Sequence, residues 1–305
     1  MSMISMVNNT LPANKLISLI LSALTIPIAT HILRKNMLTT VIFVTSLILF
    51  ILALLYLTFF TYDELSSFYV LRDVYLHAGF LCGLMALLCI NINRFNYLIP
   101  PLLLSLIIFG ARGPQLSFFF IITIFAISKL KYGFNSFKKK KIFYFVSAIA
   151  LIVIILFNAE GFYERALGRW SLIFKGDDGS SFRRIELIEI SLFSIIDKPL
   201  LGVGFGSFGT LLQNISTNSK PHNFVFELLS ETGLIGSFPI FIFLTLITIK
   251  SIIENTWSIF LYVLFIMLFS YSYTDLNEFY FAIAYVLSFQ NYKYEINRNN
   301  PVPSI

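Results

Sequence analysis

Residues Lys198–Gly236 read KPLLGVGFGSFGTLLQNISTNSKPHNFVFELLSETGLIG and form a polar, glycine-rich island between two long apolar parts of the chain. The island contains His222, one of only three histidines. A segment this rich in turn-forming residues is poorly suited to cross a bilayer. We therefore interpret it as the functional region and predict that the apolar segments on both sides are membrane helices that hold it.

The composition excludes an ordinary soluble globular protein. Of the 305 residues, 57% are hydrophobic and 12% are charged, with a mean hydropathy of +0.81, whereas soluble domains carry about a quarter charged residues. We predict an all-α polytopic integral membrane protein. The net charge of +6 collects in short loops and not on one face, so no nucleic-acid partner is expected. Cys82 and Cys89 are too far apart on one apolar segment for a disulfide, and we expect them to be buried.

Nine apolar segments approach the length of a membrane crossing. They divide the chain into amino-terminal transmembrane helices (residues 1–157), an extracytoplasmic loop with the catalytic region (158–231), and carboxyl-terminal transmembrane helices with a cytoplasmic tail (232–305). The predicted crossings are Leu16–Leu33, Leu38–Phe60, Val74–Ile92, Tyr97–Phe109, Gln115–Ile127, Ile142–Phe157, Leu234–Ile249, Trp257–Tyr271 and Phe279–Gln290.

The distribution of charge predicts the orientation of these crossings, because short loops rich in lysine and arginine stay in the cytoplasm. If the Lys129–Lys141 loop is inside, strict alternation puts 12 of the 22 basic residues inside. Only Glu254 and Glu295 of the 16 acids accompany them. The long polar loop is then outside. The amino terminus also falls outside, although residues 1–13 carry no export signal.

An amphipathic helix is predicted within the outer loop, starting near Ser180 or Ser181 and ending before Pro199. We expect it to lie at the membrane surface, with Arg183 and Arg184 near its amino-terminal end. Its apolar residues recur at steps of three and four: Phe182, Ile185, Leu187, Ile188, Leu192, Phe193 and Ile196.

Candidate site residues have ordinary interpretations as well as functional ones. A lone histidine is usually structural, but His222 stands between Pro221 and Asn223, and imidazole suits proton transfer near neutral pH. Arg112 lies in a tight turn between two crossings, where it would bind either an anionic ligand or lipid headgroups. Arg184 would be a surface charge or a guanidinium fork for diphosphate.

The run Gly204–Gly209 formally matches the G-x-G-x-x-G of dinucleotide-binding folds. That motif needs a preceding strand and a βαβ unit, which a loop flanked by membrane segments does not supply. We instead predict a tight turn where backbone approaches a neighbour closely.

Three motifs in this region resemble those of a known family. His222-Asn223, nine residues and then Gly233-Leu234-Ile235-Gly236 is similar to the H-N-x9-G-x-x-G signature of the O-antigen ligase and polymerase superfamily of bacterial glycosyltransferases. Pro199–Gly204 resembles its P-L-x-G-x-G stretch. Ala111-Arg112-Gly113 resembles its S-R-G turn with alanine for serine, and Arg184 resembles the arginine that opens its outer helix.

This resemblance implies an all-helical, multi-pass protein of the bacterial inner membrane, with its active site facing the periplasm. The implied donor is an undecaprenyl-diphosphate-linked glycan, the acceptor is another glycan or lipid A core, and neither metal nor cofactor is required. A chain-length regulator is a further candidate partner. By position, His222 is the catalytic base, and Arg112 and Arg184 bind the diphosphate. The residues expected to shape the loop and the acceptor side are Asn223, Gly202, Gly204, Gly233 and Gly236.

The acceptor separates two activities within the family. A polymerase joins lipid-linked repeat units, and a ligase transfers the finished glycan to lipid A core. The sequence P-H-N-F-V-F-E at residues 221–227 favours a polymerase. A transporter or flippase is the alternative from another class, but it would show inverted repeats and charges at the membrane midplane. Family members commonly have more crossings than nine, so we expect amino-terminal helices to be missing here.

Overall fold

A computed structural model describes residues 15–34, 37–59, 69–92, 95–131, 179–211, 221–269 and 277–299, and its regular structure there is entirely helical. This confirms the all-α fold class. Eight of the nine predicted crossings coincide with helices, and the ninth, Ile142–Phe157, lies outside the described residues. Residues 132–141 of the predicted cytoplasmic loop also lie outside them.

The described chain contains ten α-helices and two 3₁₀ turns, at Asn96–Leu98 and Phe208–Leu211. The helices are residues 15–23 (α1), Thr25–Arg34 (α2), Leu38–Phe59 (α3), Tyr69–Ile92 (α4), Ile99–Ile108 (α5), Arg112–Lys131 (α6), Gly179–Asp197 (α7), Phe224–Ile253 (α8), Trp257–Phe269 (α9) and Asn277–Asn299 (α10).

Three helical stretches are long and apolar enough to cross a bilayer: Leu38–Leu55, Tyr75–Ile92 and Phe224–Ile253. A crossing takes about 20 residues because an α-helix rises 1.5 Å per residue. Shorter apolar helices occupy Lys15–His31, Asn96–Ile108, Arg112–Phe125 and Trp257–Phe269. The count of nine crossings and the extracytoplasmic side of the polar loop therefore stay predictions.

The described residues fall into two compact units. One unit comprises those within Met1–Asn36 and Gly179–Ile305, and the other comprises those within Met37–Asp178. In the first unit, α2 packs along α10, and α9 and α10 bury large aromatic side chains, among them Tyr262 and Tyr285. In the second, α4 packs against α3, α5 and α6. Cys82 and Cys89 of α4 are free and buried, as predicted.

Helix α7 confirms the helix predicted in the polar region. It begins at Gly179 and ends at Asp197, just before Pro199, because the residue before a proline disfavours helical backbone. Its buried face carries Leu187, and this face packs against α8 and Phe208. Most of the predicted apolar face is exposed; Phe193 and Ile196 are 73% and 75% accessible. Its location at the membrane surface stays a prediction.

Candidate functional site

His222 occupies an unusual backbone position just before α8, the longest of the described helices. Its φ angle of 53° is in the left-handed region, which non-glycine residues rarely adopt, although histidine is among the enriched exceptions. Pro221 before it is buried, whereas His222 itself is exposed. Such a conformation costs of order 1–3 kcal/mol and persists only where neighbouring contacts enforce it. The imidazole therefore stands on a rigid but accessible turn.

Asn223 holds that turn against α8. Its side-chain oxygen accepts hydrogen bonds from the amides of Val225 and Phe226 at 3.0 and 3.3 Å, which makes it the N-cap of the helix. Its side-chain nitrogen donates to the carbonyl of Leu268 at 2.9 Å. Because of this cap, α8 begins at Phe224, ahead of the crossing predicted at Leu234–Ile249.

Arg184 reaches the same end of α9 as Asn223. Its Nη1 donates to the carbonyl of Phe269 at 2.9 Å. Leu268 and Phe269 are the last two described residues of α9, and their carbonyls accept these two hydrogen bonds. Since consecutive Cα atoms are about 3.8 Å apart, the Arg184 guanidinium and the Asn223 amide are anchored side by side.

The two glycine motifs pack against each other. We call residues 198–207 the glycine loop; it lies alongside a kink in α8, where Gly233 has the non-helical angles φ 62° and ψ −171°. At this kink, two amides and two carbonyls that a regular helix would pair with each other bond to the loop instead. The four bonds are Leu234 N to Pro199 O (2.9 Å), Ile235 N to Leu200 O (3.1 Å), Val203 N to Ser230 O (2.8 Å) and Gly204 N to Glu231 O (3.0 Å).

This pairing leaves no room for side chains at Gly202 and Gly233. A Cβ atom on Gly202 would lie 2.5 Å from the carbonyl carbon of Glu231, and one on Gly233 would lie 2.6 Å from the Gly202 amide nitrogen. Both also have positive φ. Gly204 has φ 109°, with Ser207 Oγ 3.2 Å from an added Cβ, and a Cβ on Gly236 would meet Thr232 Cβ at 2.7 Å.

A buried charge cluster of Lys15, Glu227 and Glu231 ties α1 to the same region. Lys15 Nζ donates to Glu227 Oε1 at 2.6 Å and to the two Glu231 oxygens at 2.7 and 2.8 Å. It also lies 5.8 Å from the ring centroid of Phe205 in the glycine loop. Sequence reasoning missed this cluster. The available signal was the spacing of two acids, one helical turn apart, just after His222.

Arg112 belongs to the other compact unit, where it is the first residue of α6. It follows Gly110, which has a positive φ of 62°, and Ala111, which is buried. Ala111 packs on Gly79 of α4 so closely that a Cβ on Gly79 would lie 2.9 Å from the Ala111 Cβ. The side-chain amide of Gln115 donates to the Leu106 carbonyl at 3.1 Å and closes the turn.

The predicted site residues are thus placed in two groups. Arg184 and Asn223 come together at the end of α9, with His222 next to Asn223 in the chain, and Gly202, Gly204 and Gly233 meet at the kink of α8. Arg112 lies in the other unit. Among the residues that the structure describes, no group of three or more His, Cys, Asp or Glu side chains has metal-binding geometry. The functional roles assigned to these residues stay predictions.

Comparison with known families finds a match in the middle of the chain. Residues 97–241, just under half of the chain, match the family described as O-antigen ligase. The matched range contains Arg112, α7, the glycine loop, His222 and the kink at Gly233. Neither curated proteins nor solved structures give a significant match. The family match supports the resemblance of the three sequence motifs to the O-antigen ligase and polymerase superfamily.

Proposed function

We propose that this protein transfers a glycan from undecaprenyl diphosphate to a sugar hydroxyl, with His222 as the general base. The observation that carries the proposal is the exposed, left-handed His222 beside Asn223, which is anchored next to Arg184 at the end of α9. Strained backbone at an exposed histidine supports a functional role. An accessible imidazole next to a fixed cation suits proton removal coupled to departure of an anion.

The chemistry assigns each group one task. The His222 imidazole accepts the proton of the acceptor hydroxyl as the new glycosidic bond forms. The bond between the donor sugar and the diphosphate breaks, and the lipid diphosphate leaves with the electron pair. Arg184 stabilises the charge that develops on this leaving group. Arg112 is proposed for the same task because it stands in the family-like A-R-G turn. Asn223 and the glycines hold the catalytic turn.

We assign the polymerase activity, in which the acceptor is a second lipid-linked repeat unit on the periplasmic side of the inner membrane. The support is the sequence of residues 221–227, P-H-N-F-V-F-E, which resembles the corresponding sequence in polymerases. Its last residue, Glu227, is buried and bound to Lys15, so this motif combines the catalytic turn with its structural support.

A ligase is the second candidate, in which the acceptor is lipid A core. The description of the matched family, O-antigen ligase, favours it. The same base and cations would serve both activities, because only the molecule that supplies the hydroxyl differs.

Reconstitution in proteoliposomes tests the proposal and separates the candidates. The purified protein is given lipid-linked repeat units, alone or together with lipid A core, and products are resolved by length and by the lipid they carry. A polymerase lengthens the lipid-linked glycan without lipid A core. A ligase produces glycan on lipid A core and does not lengthen the lipid-linked chains. Absence of any new glycosidic bond under both conditions, while substrate moves across the bilayer, would indicate a transporter.

A further inference from the structure

The ammonium group of Lys15 joins three parts of the chain that the proposed site depends on. It bonds Glu227 in the first turn of α8 and Glu231 in the second, at 2.6–2.8 Å. It also lies over the ring of Phe205, in the glycine loop. Lys15 itself stands at the start of α1, 212 positions before Glu227 in the sequence. One side chain thus links α1, α8 and the glycine loop.

The charge cluster is closed to a substrate. The side chains of Glu227 and Glu231 are 0% and 2% exposed, and that of Lys15 is 11% exposed. A sugar or a diphosphate group therefore has no access to these charges. A role in positioning other groups fits this burial, whereas direct contact with the reacting molecules does not.

The geometry of an α-helix explains what the cluster holds in place. Residues four apart lie on one face, so Lys15 spans the first two turns of α8 on a single side. The same Glu231 that bonds Lys15 accepts a backbone hydrogen bond from Gly204 at 3.0 Å. The side chain of Glu231 bonds Lys15 and its backbone carbonyl bonds the glycine loop, so both interactions meet at this one residue of α8. His222 stands two residues before that helix begins.

We propose that Lys15 is a positioning residue for glycan transfer, which holds the first two turns of α8 and the glycine loop in the arrangement that places His222. This inference rests on the proposed function for its effect on catalysis, but its effect on the loop is independent of it. A base that is displaced by about 1 Å can lose on the order of 10²-fold in rate, so loosening this support should lower kcat.

The test compares Lys15→Met, Lys15→Arg and the triple variant Lys15→Met/Glu227→Gln/Glu231→Gln in the full-length protein. Methionine removes the charge and leaves the two carboxylates buried without it, a change that can unfold the protein. The triple variant removes all three charges and so tests the same support without that imbalance. Lys250→Met is the matched control, because Lys250 pairs with Glu254 at the opposite end of the same helix.

Two readouts are measured on folded, membrane-inserted protein. In proteoliposomes, Lys15→Met and the triple variant should lower kcat about 10- to 100-fold with little change in the KM for the lipid-linked donor. Lys15→Arg and Lys250→Met should keep most of the wild-type kcat. In hydrogen exchange, Lys15→Met and the triple variant should speed exchange of residues 199–206 and 223–236, and the control should not.

The outcomes separate this inference from the proposed function. If the folded triple variant keeps wild-type kcat and wild-type exchange at the glycine loop, Lys15 does not position the site. If the wild-type protein transfers no glycan, the proposed function fails, and the exchange data alone decide whether Lys15 holds the loop. Unchanged exchange in Lys15→Met would overturn the inference even in an active enzyme.

Discussion

At the scale of single residues, the backbone of His222 is the most informative feature of the site. Its φ of 53° would suit glycine or asparagine better than histidine. Asparagine at this position would be compatible with the backbone but would lack the imidazole. Substitution here can therefore separate the loss of a base from the loss of the fold.

His222→Asn should abolish transfer while the protein stays folded and inserted. Asparagine tolerates left-handed backbone, but its amide cannot accept a proton at neutral pH. General-base assistance typically contributes about 10²- to 10⁴-fold, and a loss in this range is expected in the proteoliposome assay. His222→Ala should be equally inactive and less stable in a thermal scan. If His222→Asn retains most of its activity, His222 orients the acceptor and another mechanism is needed.

The wild-type rate should also depend on pH in the direction that a histidine base requires. Only neutral imidazole can take the proton, so kcat should rise with pH as the base loses its own proton. The measurement is the initial rate of glycan transfer in proteoliposomes from about pH 5 to about pH 8, the range in which imidazole titrates. A flat profile, or a rate that falls with rising pH, would argue against His222 as the base.

Arg184 has a structural contact as well as its proposed catalytic task, and the two make different predictions. Arg184→Lys keeps the positive charge but loses the planar fork that suits diphosphate, so it should restore only part of the activity lost in Arg184→Ala. For the alanine variant we expect a loss of roughly 2–4 kcal/mol of transition-state stabilisation. Rates are measured per folded protein. Full activity in Arg184→Ala would assign Arg184 to the end of α9 alone.

Arg112→Ala and Arg112→Lys provide the parallel test in the other unit. If this arginine also binds diphosphate, Arg112→Ala should lose most of the transfer activity. Arg112→Lys should restore only part of it, because lysine lacks the planar guanidinium fork. Transfer at the wild-type rate in folded Arg112→Ala would remove Arg112 from the site.

At the scale of elements, the pairing of the glycine loop with the kinked helix holds the site together. The break at Gly233 releases two helical hydrogen bonds, and four bonds to the loop take their place. Both partners must be glycine where the backbones meet, because an added Cβ at Gly202 would lie 2.5–2.6 Å from the backbone of Ser230 and Glu231. The two motifs are therefore parts of one structural unit, although Gly202 and Gly233 are well separated in the sequence.

Gly202→Ala and Gly233→Ala should each destabilise the protein and reduce transfer. The new methyl group must push backbone apart, and forced shifts of this kind typically cost about 1–3 kcal/mol, to which the positive φ adds strain. Thermal denaturation in detergent measures the effect. Leu201→Ala and Leu234→Ala are the controls, because both side chains are exposed neighbours in the same segments. Wild-type stability of Gly233→Ala would show that the kink relaxes freely.

Sequence patterns anticipated some of these elements and missed others, for physical reasons. The helix α7 was predictable because its apolar residues recur at helical spacing before a proline. The crossing predicted to begin at Leu234 coincides with the part of α8 that follows the kink at Gly233, but the part before the kink was not predicted, because Glu227 and Glu231 interrupt its apolar residues. The spacing of Glu227 and Glu231 pointed to a shared partner, but its identity as Lys15 was not predictable, because a contact across 212 positions leaves no local periodicity.

At the scale of the whole molecule, α8 provides the clearest statement about topology. The part after the kink at Gly233, residues 234–253, has 20 residues, or about 30 Å at 1.5 Å per residue, which matches the hydrocarbon thickness of about 30 Å. The first residues of α8 follow His222, and its last turn carries Lys250 paired with Glu254 at 3.8 Å. A basic residue at one end and the turn that carries His222 at the other fit an orientation with His222 outside and Lys250 in the cytoplasm.

Cysteine labelling should place the two ends of α8 on opposite sides of the membrane. In a Cys82→Ala/Cys89→Ala background, Lys198→Cys marks the glycine loop and Asn255→Cys marks the turn after α8; both native side chains are exposed. A membrane-impermeant maleimide applied to spheroplasts should label Lys198→Cys at once and Asn255→Cys only after lysis. Because Asn255 has a φ of 57°, membrane levels of its variant are checked first. Labelling of Asn255→Cys alone in intact spheroplasts would invert the orientation and put His222 on the cytoplasmic side, where it could not act on a periplasmic donor.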